Sequence, residues 1–245
     1  MVASVGEVST PVILIPGFWL NAASWDEVAA ALRTRGYPVS ALTLPGMASV
    51  REDRSGITLR DHVDAVVAAV DAAGGPVVLV GHSAGGALSH AAADARPEKV
   101  RGVIYVDSLP LGDGECVNAE LPEVDGEIPL PDWSVFSEED LVDLDEGLRA
   151  SFRERAVPVP VAVARDPQRL SDPRRYHVPS VAIACEYPSA QIKELMAQGH
   201  PWTAEVAAMT DLDFVDLPTG HWPQFTRPGD LVDVIATVLG DWAAT

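Results

Sequence analysis

Apolar runs of strand length alternate along the chain with stretches of helical period. These runs lie at 12–16 (VILIP), 77–80 (VVLV) and 100–106 (VRGVIYV), and none of them shows a regular alternation of apolar and polar residues. Between them, residues 24–35 and 57–73 place their apolar side chains on one helical stripe. Strands of this kind separated by helices indicate a parallel sheet that is covered by helices on both faces. The pattern therefore predicts an α/β fold.

Further runs continue this pattern toward the end of the chain. Strands are predicted at 37–44, 181–184 and 214–217, and helices at 190–209 and 231–242. An Ala-rich stretch between the VVLV and VRGVIYV runs adds one more helix. Because no repeat of solenoid length is present, we expect a single α/β unit.

One long segment, residues 108–177, breaks the alternation. It has no strong strand signal, many prolines and dense acidic stretches, and connections this long inside a compact domain are usually functional. Ser137 is placed to cap a helix whose apolar residues recur at helical spacing, namely Phe136, Leu141, Leu144, Leu148 and Phe152. We therefore predict a helical lid at 108–177 on a core formed by 1–107 and 178–245, with a flexible acidic loop as the alternative.

Composition and charge narrow the classes of partner. The 245 residues include 17 Lys and Arg against 36 Asp and Glu, which gives a formal net charge of -19. Such an acidic surface repels nucleic acid and anionic membranes, so neither is expected as a partner. Two cysteines provide neither a disulfide framework nor a zinc-site spacing. Residues 1–11 lack the basic region of a secretory signal and the longest apolar run, 11–20, is too short to span a bilayer, so we expect a cytoplasmic protein.

The sharpest chemical signal follows the third predicted strand, where residues 81–85 read GHSAG. This matches the G-x-S-x-G elbow, in which a serine on a tight turn between a strand and a helix exposes its hydroxyl. Glycines two residues before and after the serine are needed because a Cβ would clash with the crowded backbone there. The VVLV run before the motif and the helical stretch after it favour this interpretation over an incidental Gly-rich turn. Ser83 is therefore the candidate nucleophile.

Several segments of the chain resemble the α/β-hydrolase superfamily, and the resemblance covers nearly the whole length. Besides the elbow, residues 15–19 (IPGFW) are similar to the segment that supplies an oxyanion-hole amide, and 44–46 (LPG) and 96–100 (RPEKV) resemble segments of small esterases. Pro16 stands where the family usually has His. The resemblance implies a mostly parallel sheet flanked by helices, with a helical lid inserted after the strand that ends at Val106, and it implies a small serine esterase.

A serine hydroxyl is a weak nucleophile and needs a base that is oriented by an acid. In this fold the chain order is Ser, acid, His, and the family places its base in the loop after the last strand, where residues 218–223 read PTGHWP. His221 is therefore the candidate base, while His82 beside the nucleophile is interpreted as a packing residue. His62 and His90 fall in predicted helices. His177 and His200 lie at loop edges near the predicted lid, where they could touch substrate.

The segment that usually carries the acid does not identify it in this chain. Residues 185–188 (CEYP) have proline where the family usually has its aspartate. Two carboxylates remain as candidates. Asp107 ends the VRGVIYV strand, where related haloalkane dehalogenases and pancreatic-type lipases carry their acid, although a purely structural aspartate is also common there. Glu186 follows the later strand directly and could reach the base with its longer side chain. We favour Asp107 and keep Glu186 as the alternative.

These roles define a mechanism and a substrate class. Ser83 attacks an acyl carbon while His221 takes its proton, the amides of Phe18 and Ala84 stabilise the oxyanion, and water then releases the acid. No metal or organic cofactor is implied. An apolar pocket beneath the lid is expected from five aromatic residues, Trp19, Trp133, Phe136, Trp202 and Trp222. The predicted partner is a small-molecule ester or lactone, small to medium and apolar.

Two other functions stay open at this point. A lyase on the same scaffold, similar to a hydroxynitrile lyase, would use the same three side chains as a base without acylation. A non-catalytic hydrolase-like protein would only bind its ligand, and the displaced acid is the single hint of that. Haloalkane dehalogenases and epoxide hydrolases are excluded because both need Asp at the elbow in place of Ser83.

Overall fold

Six parallel strands form the central sheet of the computed structural model, which describes residues 10–244. In chain order, the strands of the described residues are β1 (Val12–Ile15), β2 (Val39–Ala41), β3 (Val77–His82), β4 (Val100–Val106), β5 (Glu127–Ile128), β6 (Val159–Pro160), β7 (Ser180–Ala184) and β8 (Leu212–Asp216). The sheet order is β2-β1-β3-β4-β7-β8, whereas β5 and β6 form a separate antiparallel pair. The parallel strands bring their carboxyl ends to one edge of the sheet, which is where such folds bind their ligands.

Helices cover both faces of the sheet. In chain order they are α1 (Asp26–Thr34), α2 (Leu59–Ala72), α3 (Ala84–Ala95), α4 (Glu146–Arg155), α5 (Val161–Arg165), α6 (Ser189–Ala197), α7 (Ala204–Ala208), α8 (Pro223–Thr226) and α9 (Pro228–Ala243). Short 3-10 helices lie at Ala22–Trp25, Trp133–Val135, Pro173–His177 and Pro201–Thr203.

Two apolar cores lie on opposite sides of the sheet because successive strand side chains point to opposite faces. Val12 and Leu14 pack with α1 and α9, while Ile13 and Ile15 pack with α2 and α3. Every residue of β1 is buried, which explains why its sequence is a continuous apolar run. The α/β fold expected from the sequence, a parallel sheet covered by helices on both faces, is confirmed.

Some elements differ from the predicted bounds. The predicted helix at 190–209 is divided, because Gly199 takes a left-handed φ of 68° and Pro201 cannot continue the helix. Only Val39–Ala41 of the predicted strand 37–44 pairs with β1. The expectation about a secretory signal concerned residues 1–11, of which 1–9 lie outside the described residues. Within 10–244, none of the helices combines the length and the apolar character that crossing a membrane requires.

The insertion, residues 108–177, is only partly helical. It contains β5, β6, α4, α5 and two of the 3-10 helices. The helix predicted behind Ser137 does not form there: Ser137 and Asp140 exchange the hydrogen bonds of a helix cap, but Asp143 then takes a φ of 63° and α4 begins only after the Asp145 cap. Apolar side chains of the insertion join the same core as α2 and α3, among them Ile128, Leu144, Phe152, Val159 and Val163.

A buried ionic network fastens the end of the insertion to the core. The Arg175 guanidinium contacts Glu205 at 2.8 Å and Asp94 at 3.2 Å, and Glu205 also lies 2.9 Å from Nε2 of His90. Burial raises the pKa of the Glu205 carboxyl, but the hydrogen bonds from His90 and Arg175 outweigh it and lower the pKa to about 2. His90 therefore belongs to this structural network through Glu205, away from the carboxyl ends of the strands.

Candidate active site

Ser83 lies at the sharp bend between β3 and α3, with a left-handed φ of 52°. Gly81 and Gly85 make this bend possible: a Cβ on Gly81 would overlap the carbonyl of Gly85, and a Cβ on Gly85 would overlap the backbone of β1. The Ser83 amide donates to the carbonyl of Val106 at 3.1 Å, which fixes the bend against β4. Strained backbone of this kind is characteristic of functional sites, where the surrounding structure holds it in place.

His221 reaches Ser83 from the loop between β8 and α8. Its Nε2 lies 2.9 Å from Ser83 Oγ. Its backbone carbonyl lies 2.6 Å from Nε2 of His82. Burial and the charge of His221 lower the pKa of His82 to about 3, so His82 is neutral and donates its Nε2–H to that carbonyl. His82, interpreted from sequence as packing, thus also holds the backbone of the candidate base.

Asp107 meets the other side of the His221 ring at the carboxyl end of β4. Its Oδ2 lies 2.6 Å from His221 Nδ1, while its Oδ1 accepts the backbone N–H groups of Cys185 and Glu186 at 3.0 and 3.1 Å. The residue itself takes a φ of 42°, which turns the carboxylate toward the neighbouring strand end. Three hydrogen-bonding partners, from the loop after β7 and the loop after β8, therefore hold the Asp107 carboxylate in one orientation.

Glu186 also lies against the same imidazole. Its Oε2 is 3.4 Å from His221 Nδ1, so both carboxylates considered from the sequence reach the ring and Asp107 is the closer. Burial lowers the pKa of His221, but hydrogen bonding and charge from Asp107 and Glu186 outweigh it and raise the pKa to about 10.

Asp140, a residue that the sequence did not single out for the site, connects the insertion to this centre. Its carbonyl accepts the His221 amide at 2.8 Å, and Gly220 allows this approach, since a Cβ there would overlap the Asp140 carbonyl. Burial and the neighbouring Glu186 carboxylate raise the pKa of Asp140. In the sequence Asp140 is part of a helix-cap pattern, and nothing local marks it as a neighbour of His221.

Two backbone segments border Ser83 where an oxyanion would be stabilised. Phe18 lies in a turn in which the Leu20 N–H donates to the Gly17 carbonyl. The next residue, Trp19, has a φ of 64°. Gly17 packs so closely that its Cβ would lie 2.9 Å from Cβ of Ser83. Ala84 is the first residue of α3, where backbone N–H groups have no partner within the helix. Phe18 and Ala84 also line a narrow, mostly apolar cavity of about 10 Å³, which has room for about one water molecule.

Two clefts meet at Ser83 and His221. One, of about 450 Å³, is lined by Trp19 and Phe136 together with apolar residues of the insertion and with its polar residues Asn118, Glu120 and Asp140. The other, of about 400 Å³, is lined by Trp202 and by the carboxylates of Asp107 and Glu186. Three of the five aromatic residues expected in the pocket therefore face a cleft.

Trp133 and Trp222 correct the remaining part of that expectation. Neither lines the two clefts; they pack against each other with ring centroids 5.9 Å apart, and both contact Phe136 and Phe152. Trp222 is only 1% exposed, because it follows His221 in the chain and inserts into this aromatic cluster while His221 faces the clefts.

The other histidines considered from the sequence lie apart from the clefts. His177 contacts the Thr210 hydroxyl at 2.8 Å, and His200 accepts the Trp202 amide at 3.3 Å. Neither lines a cleft beside Ser83.

The donor atoms of Asp107, Glu186 and His221 lie within 4.8 Å of one another, a spacing that could hold a metal ion. However, Nδ1 of His221 already has Asp107 Oδ2 at hydrogen-bonding distance, and Asp107 Oδ1 accepts two amides. Hydrogen bonds thus account for these atoms, and the donor set fits an oriented imidazole.

Comparisons of the sequence and of the structure with known proteins find relatives among the alpha/beta hydrolases. A model of the alpha/beta hydrolase family matches residues 12–234. A pyrethroid hydrolase of Sphingobium wenxiniae is 28% identical over 247 residues, covering 93% of this chain and 86% of its own. A carbendazim hydrolyzing esterase of a Nocardioides species is 33% identical over 114 residues, which cover 45% of this chain and 47% of that protein. An extracellular alpha/beta-hydrolase from a Paenibacillus species has a similar structure, with a TM-score of 0.74 at 20% identity, covering 93% and 98% of the two chains.

Proposed function

This chain belongs to the alpha/beta hydrolase family, and on that premise we propose that it is a serine hydrolase of carboxylic esters or lactones. Relatives that are named esterase and hydrolase support ester hydrolase activity in general. The observation that carries the proposal is the line of contacts from Ser83 Oγ through the His221 ring to Asp107, at 2.9 and 2.6 Å. These distances are those of a nucleophile, its base and the acid that orients the base.

In the proposed reaction, Nε2 of His221 takes the Ser83 proton as Oγ attacks the acyl carbon. Asp107 accepts the hydrogen bond from Nδ1–H, which keeps the imidazole in the tautomer whose Nε2 can receive a proton and then stabilises the imidazolium. His221 gives that proton to the leaving alcohol, and the acyl group stays on Ser83. Water activated by His221 then attacks the acyl-enzyme, which releases the acid and restores the serine.

The amides of Phe18 and Ala84 are proposed to stabilise the oxyanion of each tetrahedral intermediate. Loss of one such donor costs about a hundred- to a thousand-fold in comparable enzymes. The place of Phe18 in a turn whose Gly17 contacts Ser83, and of Ala84 at the beginning of α3, supports this assignment.

The two clefts support a substrate with an extension on each side of the ester bond. Aromatic rings of Trp19 and Phe136 line one cleft and favour an apolar group of small to medium size. Glu186 lines the other cleft and Asp140 lines both. Because the chain also carries a net charge of -19, neutral groups are favoured over anionic ones.

Hydrolysis of a panel of p-nitrophenyl esters and aryl lactones by the purified protein and by Ser83→Ala tests the proposal. We expect saturable hydrolysis of neutral apolar esters and a loss of about a thousand-fold or more in Ser83→Ala. Cleavage of cyanohydrins without ester hydrolysis would favour the lyase. Ligand binding that persists in Ser83→Ala, with no ester turned over by either protein, would favour a binding function.

A further inference from the structure

His221 contacts one more carboxylate than its proposed role requires. A single acid at Nδ1 is sufficient to orient the imidazole, and Asp107 at 2.6 Å occupies that position. Glu186 nevertheless lies 3.4 Å from the same nitrogen, with a side chain only 13% exposed. A buried charge without a partner is costly, so its place beside the ring needs an explanation.

Glu186 is fixed by groups of three different segments. Its own backbone N–H donates to Asp107 Oδ1 at 3.1 Å. On the insertion side, a hydrogen bond joins the carboxyl of Asp140 to Glu186, and burial together with this neighbour raises the pKa of Asp140. Asp140 is itself held on the catalytic loop, because its carbonyl accepts the His221 amide. The carboxyl of Asp140 therefore lies beside Glu186, whose own carboxylate is next to the imidazole.

Every charged or titratable group that faces this ring bears on its proton affinity. Asp107 and Glu186 favour the imidazolium, and His82, whose ring centroid is 5.0 Å away, stays neutral. On the surrounding segments, the other titratable groups near these carboxylates are Cys185, Tyr187 and Asp140, and the charge of Glu139 also acts on Tyr187. Burial, with a smaller contribution from the charges of Asp107 and Glu186, raises the pKa of Cys185. The charge of Glu186 is the main reason that the pKa of Tyr187 is raised, which is the direction expected at a negative potential. These groups include no Lys or Arg, so no positive side chain among them offsets the two carboxylates.

We propose that Glu186 is a positioning residue that acts through His221 as its second carboxylate partner, and that it shifts the active range of the enzyme to alkaline pH. The inference rests on the proposed function, because it concerns the base of that reaction. With two carboxylates beside it, the imidazole holds its proton at neutral pH and becomes a free base only on the alkaline side. Once deprotonated it is a stronger base toward Ser83 than an imidazole with one carboxylate.

The pH dependence of kcat/KM in wild type and in Glu186→Gln tests this role, measured between about pH 5 and pH 11. Gln has the shape of Glu without its charge, so we expect the acidic limb to move down by about one to three pH units. Activity at pH 7 then rises relative to the activity at the optimum. A merely structural role for Glu186 would lower activity at all pH values without moving the limb, and that result would overturn the proposal.

Glu138→Gln is the matched control, since it removes the same charge from an exposed position two residues before Asp140. Its acidic limb should stay within about 0.3 pH unit of wild type, because charges separated by solvent are screened. An equal shift in both variants would mean that overall charge, and not contact with His221, sets the limb.

An NMR titration of the His221 ring separates failure of this inference from failure of the proposed function. In wild type we expect the ring to titrate clearly above the ordinary histidine value of about 6.5, and to titrate lower in Glu186→Gln. This measurement needs no substrate, so it decides the role of Glu186 even if no ester is turned over. If Glu186→Gln does not fold, a wild-type His221 pKa near 6.5 still overturns the proposal.

Discussion

Asp107→Asn gives the sharpest test of the acid assignment. The amides of Cys185 and Glu186 both donate to Oδ1 of Asp107, so in the variant the amide oxygen has to stay at that position. The new amide nitrogen then faces Nδ1 of His221, where Asp107 now places Oδ2 at 2.6 Å. An N–H donor there forces Nδ1 to accept and moves the ring proton to Nε2. That tautomer cannot take the proton of Ser83.

The expected cost follows from this change of tautomer. Replacing the triad acid by Asn lowers kcat by about ten-thousand-fold in a comparable enzyme, which corresponds to about 5 kcal/mol. Asp107→Ala is less damaging here, because Nδ1–H can still donate to Glu186, which lies 3.4 Å away. We expect Asp107→Ala to retain about ten-fold more activity than Asp107→Asn, although two buried amides lose their acceptor at a cost of about 1–3 kcal/mol in stability.

Steady-state hydrolysis of one p-nitrophenyl ester at the optimal pH measures the order of the three variants. The expected order is Glu186→Gln close to wild type, then Asp107→Ala, then Asp107→Asn, and Asp107→Ala combined with Glu186→Gln should fall to the level of Asp107→Asn. Thermal unfolding checks that each variant is folded. If Glu186→Gln loses orders of magnitude while Asp107→Asn stays active, then Glu186 is the acid and the assignment is wrong.

Other predictions concern the backbone of the site and the ionic network. Gly85→Ala should lower the free energy of unfolding by about 1–3 kcal/mol in denaturant titrations and reduce activity, because the new Cβ overlaps the backbone of β1; a fully stable, active variant would contradict the elbow geometry. Gly220→Ala should displace the turn at Asp140 and lower kcat/KM, with faster hydrogen exchange at 137–142 as the readout; unchanged exchange there would contradict the contact. The pKa of Glu205 is lowered to about 2 in the folded chain, so its stabilisation is present above the unfolded value near 4.5 and lost as pH falls toward 2. As pH falls from about 5 to 2, the free energy of unfolding should therefore decrease by of order 2 kcal/mol less in Glu205→Gln than in wild type. An equal decrease in both proteins would contradict the network.

The parallel sheet was predictable because its central strands are buried on both faces and read as apolar runs. β1, β3 and β4 lie where the runs at 12–16, 77–80 and 100–106 predicted them. Ser83 was predictable for a related reason: the glycines around it are required by local backbone contacts that the motif encodes.

Long-range contacts were less accessible from sequence. Asp140 reaches His221 only because the insertion folds back on the loop after β8, and its Ser137 cap predicted a helix that Asp143 interrupts. Trp222 follows His221 directly yet faces the aromatic cluster, a difference in direction that spacing does not contain. Pattern places elements along the chain, whereas the partners of a loop side chain depend on the packing of the whole fold.

Mass spectrometry of the protein, quenched with acid during turnover of a p-nitrophenyl ester, tests the central claim most directly. We predict one acyl group per chain on the peptide that contains Ser83, with none in Ser83→Ala and less in His221→Ala. An acyl group on another residue, or release of p-nitrophenol by Ser83→Ala at the wild-type rate, would contradict the claim that the Ser83 hydroxyl is the nucleophile.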